Sequence, residues 1–210
     1  MSDEMRKYLA GYDDLQRFVS YYYQIDLTRK LNVKQVLEIG IGNKTVSDYL
    51  RKLGLRVTTL DLSSCLHPDV VGDASRIPFK NESFDAVLCF QVLEHLPWEL
   101  FPRAISEISR VTREYAILSL PHSSYSMEMI FRGTPINKLL KRSIIHIRIS
   151  LPRKGKRSEE HHWEIGLRQF PPKKIRHEIC KHFHIERELR PLLNPYHHFF
   201  LLRKRGKRGA

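Results

Sequence analysis

VLEIGIGNK, residues 36–44, decides how the rest of the chain is read. A short apolar run carrying one acid, Glu38, gives way to two glycines one residue apart, Gly40 and Gly42. The run reads as a buried strand, and a glycine turn behind it lets the backbone approach a ligand and points helix N–H groups at it. The helix follows in KTVSDYLRKLG, where Val46, Tyr49, Leu50 and Leu53 fall on one predicted face and Gly54 stands where a helix stops. Dinucleotide-binding turns run GxGxxG, but position 45 is a threonine, so tight packing around a pyrophosphate is not supported.

Upstream, Tyr8, Tyr12, Leu15, Val19 and Tyr22 recur at three-and-four spacing and predict an amphipathic helix, a lid or outer layer within residues 1–30. Downstream, RVTTLDL (56–62), DVVGDAS (69–75), FDAVLCF (84–90) and EYAILSL (114–120) read as strands. SSCLHP, between the second and third, is brief for a crossover, so any helix there is a stub. WELFPRAISEISRVT (98–112) aligns Leu100, Ala104, Ile108 and Val111 on a helix. Strands alternating with helices predict an α/β fold with a parallel sheet covered on both faces. The alternation stops after Pro121 and resumes at PPKKIRHEICKH. FHIERELR (183–190) and HHFFLLRKR (197–205) then predict an antiparallel hairpin, with NPYHHFF turning into the last strand. One domain over 1–210 is expected: a helical lid (1–30), a core (34–120), a basic insertion after the fifth strand (122–168) and a basic tail (203–210).

The net charge of +13 is local. Residues 129–158 hold nine Lys or Arg (Arg132, Lys138, Lys141, Arg142, Arg148, Arg153, Lys154, Lys156, Arg157) and no acid, and the tail adds Arg203, Lys204, Arg205, Lys207 and Arg208. Without these fourteen, 22 basic residues of the 36 face 23 acidic ones. A polar, acidic start lacks the pattern of a secretory signal, and no apolar run approaches the roughly 20 residues of a membrane span. A cytoplasmic protein, peripheral at a membrane if the basic segments bind one, is expected. Cys65, Cys89 and Cys180 form no CxxC and are expected to be buried thiols rather than a disulfide framework.

Four further features arrive in order: Asp61 ending the second strand, GDASRIPF (72–79), SFDAV (83–87) opening the fourth strand, and VLEHL (92–96) after it. Together with the glycine turn, over roughly 34–120, the sequence resembles the class I S-adenosylmethionine-dependent methyltransferases, especially the small enzymes grouped as methyltransferase type 11. The resemblance implies a Rossmann-like, doubly wound, mostly parallel seven-stranded sheet with an antiparallel last strand, and S-adenosylmethionine as cofactor. It implies that Gly40 and Gly42 border the methionine part, that Glu38 orders its amino group, and that Asp61, with Leu62 behind it, binds the ribose hydroxyls. Asp73 and Ala74 would meet the adenine, and Phe90 and Gln91 the methyl group. The family usually has a third glycine where this chain has Lys44. Its side chain reaches the cofactor carboxylate or points into solvent, and the frequency with which charged groups are exposed favours solvent.

Methyl transfer is an in-line displacement that needs a base only when the acceptor keeps its proton. His95, after the fourth strand, is one candidate. The others are His161 and His162 in EEHHWEIG (159–166), where Trp163 is either an aromatic wall or core. His177, Cys180, His182 and His184 match no common metal spacing, and no metal is expected. HHWEIG and NPYHHFFLLRK look similar to methyltransferases grouped with cell-surface polysaccharide assembly, which implies a small-molecule, glycan or lipid-linked acceptor. The mixed apolar and basic residues of 132–157 and 203–208 also suit an anionic membrane surface or nucleic acid. An RNA or protein methyltransferase and a non-catalytic S-adenosylmethionine-binding module remain alternatives.

Overall fold

The computed structural model describes residues 12–152 and 158–206. Tyr8 and the basic residues Arg153, Lys154, Lys156, Arg157, Lys207 and Arg208 lie outside them. Among the described residues, seven strands form one sheet in the order β3-β2-β1-β4-β5-β9-β8. β1 (Gln35–Ile39), β2 (Arg56–Asp61), β3 (Val70–Val71), β4 (Phe84–Phe90) and β5 (Thr112–Pro121) run parallel. β8 (Phe183–Leu189) and β9 (His197–Lys204) form the expected hairpin, and β9 pairs antiparallel with β5. The central strands read as continuous apolar runs because both faces are covered. Leu37, Val87 and Cys89 face Ala104, Ile105 and Ile108 of α3 (Phe101–Val111), while Val36, Ala86 and Leu88 face Val46 and Leu50 of α2 (Thr45–Lys52).

Four expectations change. The first helix, α1, is Leu15–Arg29, and its buried face is Ser20, Tyr21, Gln24, Leu27 and Thr28, whereas Leu15 and Tyr22 are exposed. Polar groups are tolerated there because they answer one another: Ser20 Oγ lies 2.6 Å from His197 Nδ1, and Gln24 Nε2 donates to Ser20 Oγ at 3.1 Å. The third strand shrinks to two residues, because Gly72 and Asp73 already turn toward the β3 end of the cavity described below. Of the cysteines only Cys89 is buried; Cys65 is exposed and Cys180 intermediate. In α2, Tyr49 and Leu53 are exposed, since two helical turns against a strand bury only the Val46–Leu50 stripe.

The insertion is not an irregular stretch. β6 (Ser124–Arg132) and β7 (Ile144–Pro152) pair antiparallel in a separate two-stranded ribbon, joined through the short α4 (Pro135–Leu139). Behind it, residues 159–166 return to the core and α5 (Pro172–Cys180) leads into β8. Trp163 anchors the return: it is fully buried, its Nε1 donates to Leu96 O at 3.1 Å, and its ring meets Phe101 at 4.8 Å and Trp98 at 5.1 Å. Trp163 is therefore core rather than a pocket wall. Trp163→Ala is expected to cost about 3–5 kcal/mol, as for large aromatic deletions, and Trp163→Phe clearly less; urea unfolding followed by circular dichroism measures both.

Candidate active site

The turn after β1 is held open by geometry that only glycine meets. Gly40 has φ +78°, and a Cβ there would stand 2.1 Å from Val92 Cγ2. Two bonds then fasten the turn to β2. Gly40 N–H donates to Leu60 O and Ile41 N–H to Asp61 Oδ2, both at 2.9 Å. Asp61 Oδ1 accepts from Ser63 N–H at 2.9 Å, so each carboxylate oxygen is positioned by one amide and retains capacity for another donor.

Lys44 does neither of the things expected of it. It adopts φ +65°, the left-handed conformation a glycine would supply, at the N-cap of α2. Its Nζ donates to His67 O at 2.8 Å, so the side chain ties the turn to the loop after β2 instead of entering solvent.

The strand ends enclose a cavity of about 250 Å3. Glu38, Gly40, Gly42, Asp61, Leu62, Asp73, Ala74, Phe90 and Gln91 all line it, and so does His95. Asp73 Oδ1 accepts from Ser75 N–H at 2.6 Å, and Gln91, at φ +54°, donates from Nε2 to Ser119 Oγ at 3.1 Å. Arg17, Tyr21 and Gln24 close one side from α1. Sequence reasoning missed these three; the signal was the polar series Ser20, Gln24, Thr28, four residues apart, on one helix face. Asp13 links this wall to the glycine turn, accepting from Tyr21 OH at 2.8 Å and from Asn43 Nδ2 at 2.9 Å.

Among the described residues, two carboxyl groups are buried without full satisfaction. Glu38 Oε2 and both carboxyl oxygens of Glu94 lack a hydrogen-bond partner. Burial pushes each up to about 8, tempered at Glu38 by Ser47 and reinforced at Glu94 by the neighbouring Glu164.

His95 and His161 come together, their rings 5.0 Å apart and nearly perpendicular. His95 Nδ1 lies 3.0 Å from Glu160 O, and His161 Nδ1 lies 2.9 Å from Glu164 Oε1. Glu164 also accepts from Tyr196 OH at 3.1 Å and Ser158 N–H at 2.9 Å. Burial alone would raise its pKa, but these donors hold the carboxyl below the ordinary range. Glu164 stands in the EEHHWEIG cluster that the sequence offered, whereas Tyr196 was not singled out for the site; it lies 35 residues from His161, and the β5–β9 pairing that starts at the next residue brings it alongside. His162 stands apart, exposed, with its backbone N–H donating to Glu94 O at 2.8 Å. Donor atoms of Glu94, His95 and His161 fall within 4.8 Å of one another, a set able to hold a metal ion and distinct from the histidines and cysteine at 177–184.

Residues 37–120 match the family described as Methyltransferase domain. This stretch of the chain is a methyltransferase domain. Relatives of this methyltransferase domain include the phthiotriol/phenolphthiotriol dimycocerosates methyltransferases of Mycobacterium leprae (27% identical) and Mycobacterium tuberculosis (28%), each over 145 residues covering 60% of this chain and 53% of the relative. The chain thus spans about half the length of the curated relatives it matches. Similar solved folds include the N-methyltransferase NodS of Bradyrhizobium japonicum in complex with S-adenosyl-L-homocysteine (TM-score 0.63, 10% identity, 96% of this chain and 97% of that one). Another is the magnesium protoporphyrin IX methyltransferase of Synechocystis (TM-score 0.58, 18% identity, 90% and 83%).

The buried carboxyls give the methyltransferase domain a pH signature. A carboxyl whose pKa rises on folding, from 4.5 to about 8, binds its proton more tightly in the folded state. Stability is then full below about pH 4.5 and falls as pH rises toward 8, by up to about 1.4 kcal/mol per pH unit for each group. In urea unfolding of the ligand-free protein between these limits, Glu94→Gln is expected to gain stability relative to the unsubstituted protein as pH rises toward 8, a difference that isolates this carboxyl from the buried histidines His122 and His197, whose lowered pKa values act in the opposite sense.

Proposed function

We propose that the protein transfers a methyl group from S-adenosylmethionine to a protonated nucleophile on a small-molecule or glycan- or lipid-linked acceptor, with His95 receiving the proton. The observation that carries this reading is one cavity lined both by an unpartnered buried carboxyl, Glu38, and by an imidazole set in a hydrogen-bonded group, His95.

The residues fit the cofactor. Glu38 Oε2 is a buried acceptor lacking a donor, which an amino group would supply. Asp61, fixed by two amides, offers its remaining lone pairs to a pair of ribose hydroxyls, and the exposed Leu62 lines the same cavity. Asp73 and Ala74 would border the adenine, and Phe90 and Gln91 the methyl group. Bound S-adenosylmethionine supplies a sulfonium-activated methyl carbon open to in-line attack.

On the acceptor side, the hydrogen bond from Nδ1–H of His95 to Glu160 O places the basic lone pair on Nε2. The ring of His161 braces it edge to face, and the ionised Glu164 fixes the orientation of His161. His162 is the least favoured of the three histidines, being exposed and outside the cavity lining. The names of the mycobacterial relatives support a lipid-linked acceptor ahead of the others.

Calorimetry with S-adenosylhomocysteine is expected to show binding that Asp61→Ala weakens by about 10–100-fold, the value of hydrogen bonds to a charged group; unchanged affinity would sink the assignment of Asp61. With labelled S-adenosylmethionine and extracted lipid and glycan fractions, His95→Ala is expected to lower turnover by about 100-fold or more while leaving cofactor affinity intact. Full turnover at neutral pH in that variant would remove the base from the mechanism.

A further inference from the structure

The ribbon of β6 and β7 is built inside out. Its polar face is fastened to the protein. Glu128 accepts from Arg148 Nε at 2.8 Å and from Leu193 N–H at 3.0 Å. Arg148 Nη2 in turn donates to Arg190 O and Pro191 O, and Arg190 donates to Ser124 Oγ at 2.6 Å. The opposite face is apolar and, among the described residues, exposed. Tyr125 pairs with Leu151, Met127 with Ile149 and Met129 with Ile147, and these six side chains are 37–62% exposed. Cross-strand partners share a face, so they form one continuous apolar surface. A ribbon with one solvated side ordinarily turns its polar face to water.

Beyond this face, the connection through α4 exposes Ile136 and Leu139, the latter at 81%, among the exposed cations Arg132, Lys138, Lys141 and Arg142. The chain from Met129 to Ser158 contains no acidic residue. A second copy docked on the same face would bring two such cationic segments together, which like-charge repulsion opposes. An anionic lipid surface satisfies both halves of the pattern, taking the apolar side chains below its headgroups and pairing the cations with them.

The geometry points to the β6–β7 ribbon as a docking surface for an anionic lipid membrane. Its root adjoins the site: Ser123 N–H donates to Ile165 O at 2.8 Å, and Ile165 follows Glu164 in the chain. Docking there holds the acceptor side of the cavity close to the bilayer surface. Among the described residues no helix is long and apolar enough to cross a membrane, so this contact is an attachment to one leaflet. It stands independently of the transfer reaction, because binding is read without turnover.

The test is flotation of the full chain with vesicles of phosphatidylcholine alone and of phosphatidylcholine mixed with phosphatidylglycerol. Binding is expected to the anionic vesicles and to weaken in high salt. The double variant Met127→Ser/Ile149→Ser and, separately, Lys138→Glu/Lys141→Glu/Arg142→Glu are each expected to weaken it by about tenfold or more. Retained S-adenosylhomocysteine affinity in both variants shows that the body is folded. Failure to float with anionic vesicles, or flotation that neither set of substitutions changes, overturns the proposal. So does a dimer in sedimentation equilibrium that Met127→Ser/Ile149→Ser dissociates, which assigns the face to a second copy, or binding of RNA in preference to the vesicles.

Discussion

Gly40 has no room for a side chain, and most of the site follows from that. The missing Cβ lets Val92 approach from the loop after β4, closing the gap between the ends of β1 and β4. With the turn pressed into this position, its amides reach Leu60 and Asp61 on the neighbouring strand. One close contact thereby sets the mutual placement of three strand ends, and the cavity is the space they leave. Lys44 carries the same constraint a step further, accepting a left-handed backbone that a glycine would adopt without strain and holding the loop after β2 by its side chain.

The cavity is unusual in how much polarity its surroundings bury. Glu38 and Glu94 are taken out of water with incomplete pairing, while Glu164, less deeply enclosed, keeps its charge because three donors converge on it. Hydrogen bonding and depth both enter the contrast: Glu94 is deeper and lacks side-chain donors, whereas the donors around Glu164 outweigh its lesser burial. Environments that push neighbouring carboxyls apart in this way recur where protons are handled. The polar face of α1 belongs to the same economy, since a helix that walls a ligand site need not be apolar where it is buried.

The ribbon follows the opposite logic from the core. In the sheet, apolar runs are buried because helices cover both faces. In β6 and β7 the covered face is the polar one, held by Glu128, Arg148 and Arg190, and the apolar face is left outside. Ion pairs and hydrogen bonds fix the ribbon to the body, while its exposed face presents a contiguous apolar patch of the kind that marks an interaction site.

The sequence by itself determined the parallel core, the strand-ending acids Glu38, Asp61 and Asp73, the glycine turn and the late hairpin. These are local signals: periodicity, turn residues and acids at strand ends are legible because neighbours in sequence create them. All nine residues that the family resemblance implied for the cofactor line one cavity. Tertiary structure alone decided the rest. Tyr196 joins the local pair of His161 and Glu164 only through strand pairing across distant segments, and Lys44 finds His67 only when the turn folds back on β2. α1 turned its polar stripe inward because partners for Ser20 and Gln24 waited there, so hydrophobic periodicity, which assumes an apolar interior, pointed to the wrong face. In the ribbon, alternation at period two cannot say which face is outside; that was set by where Arg190 stands.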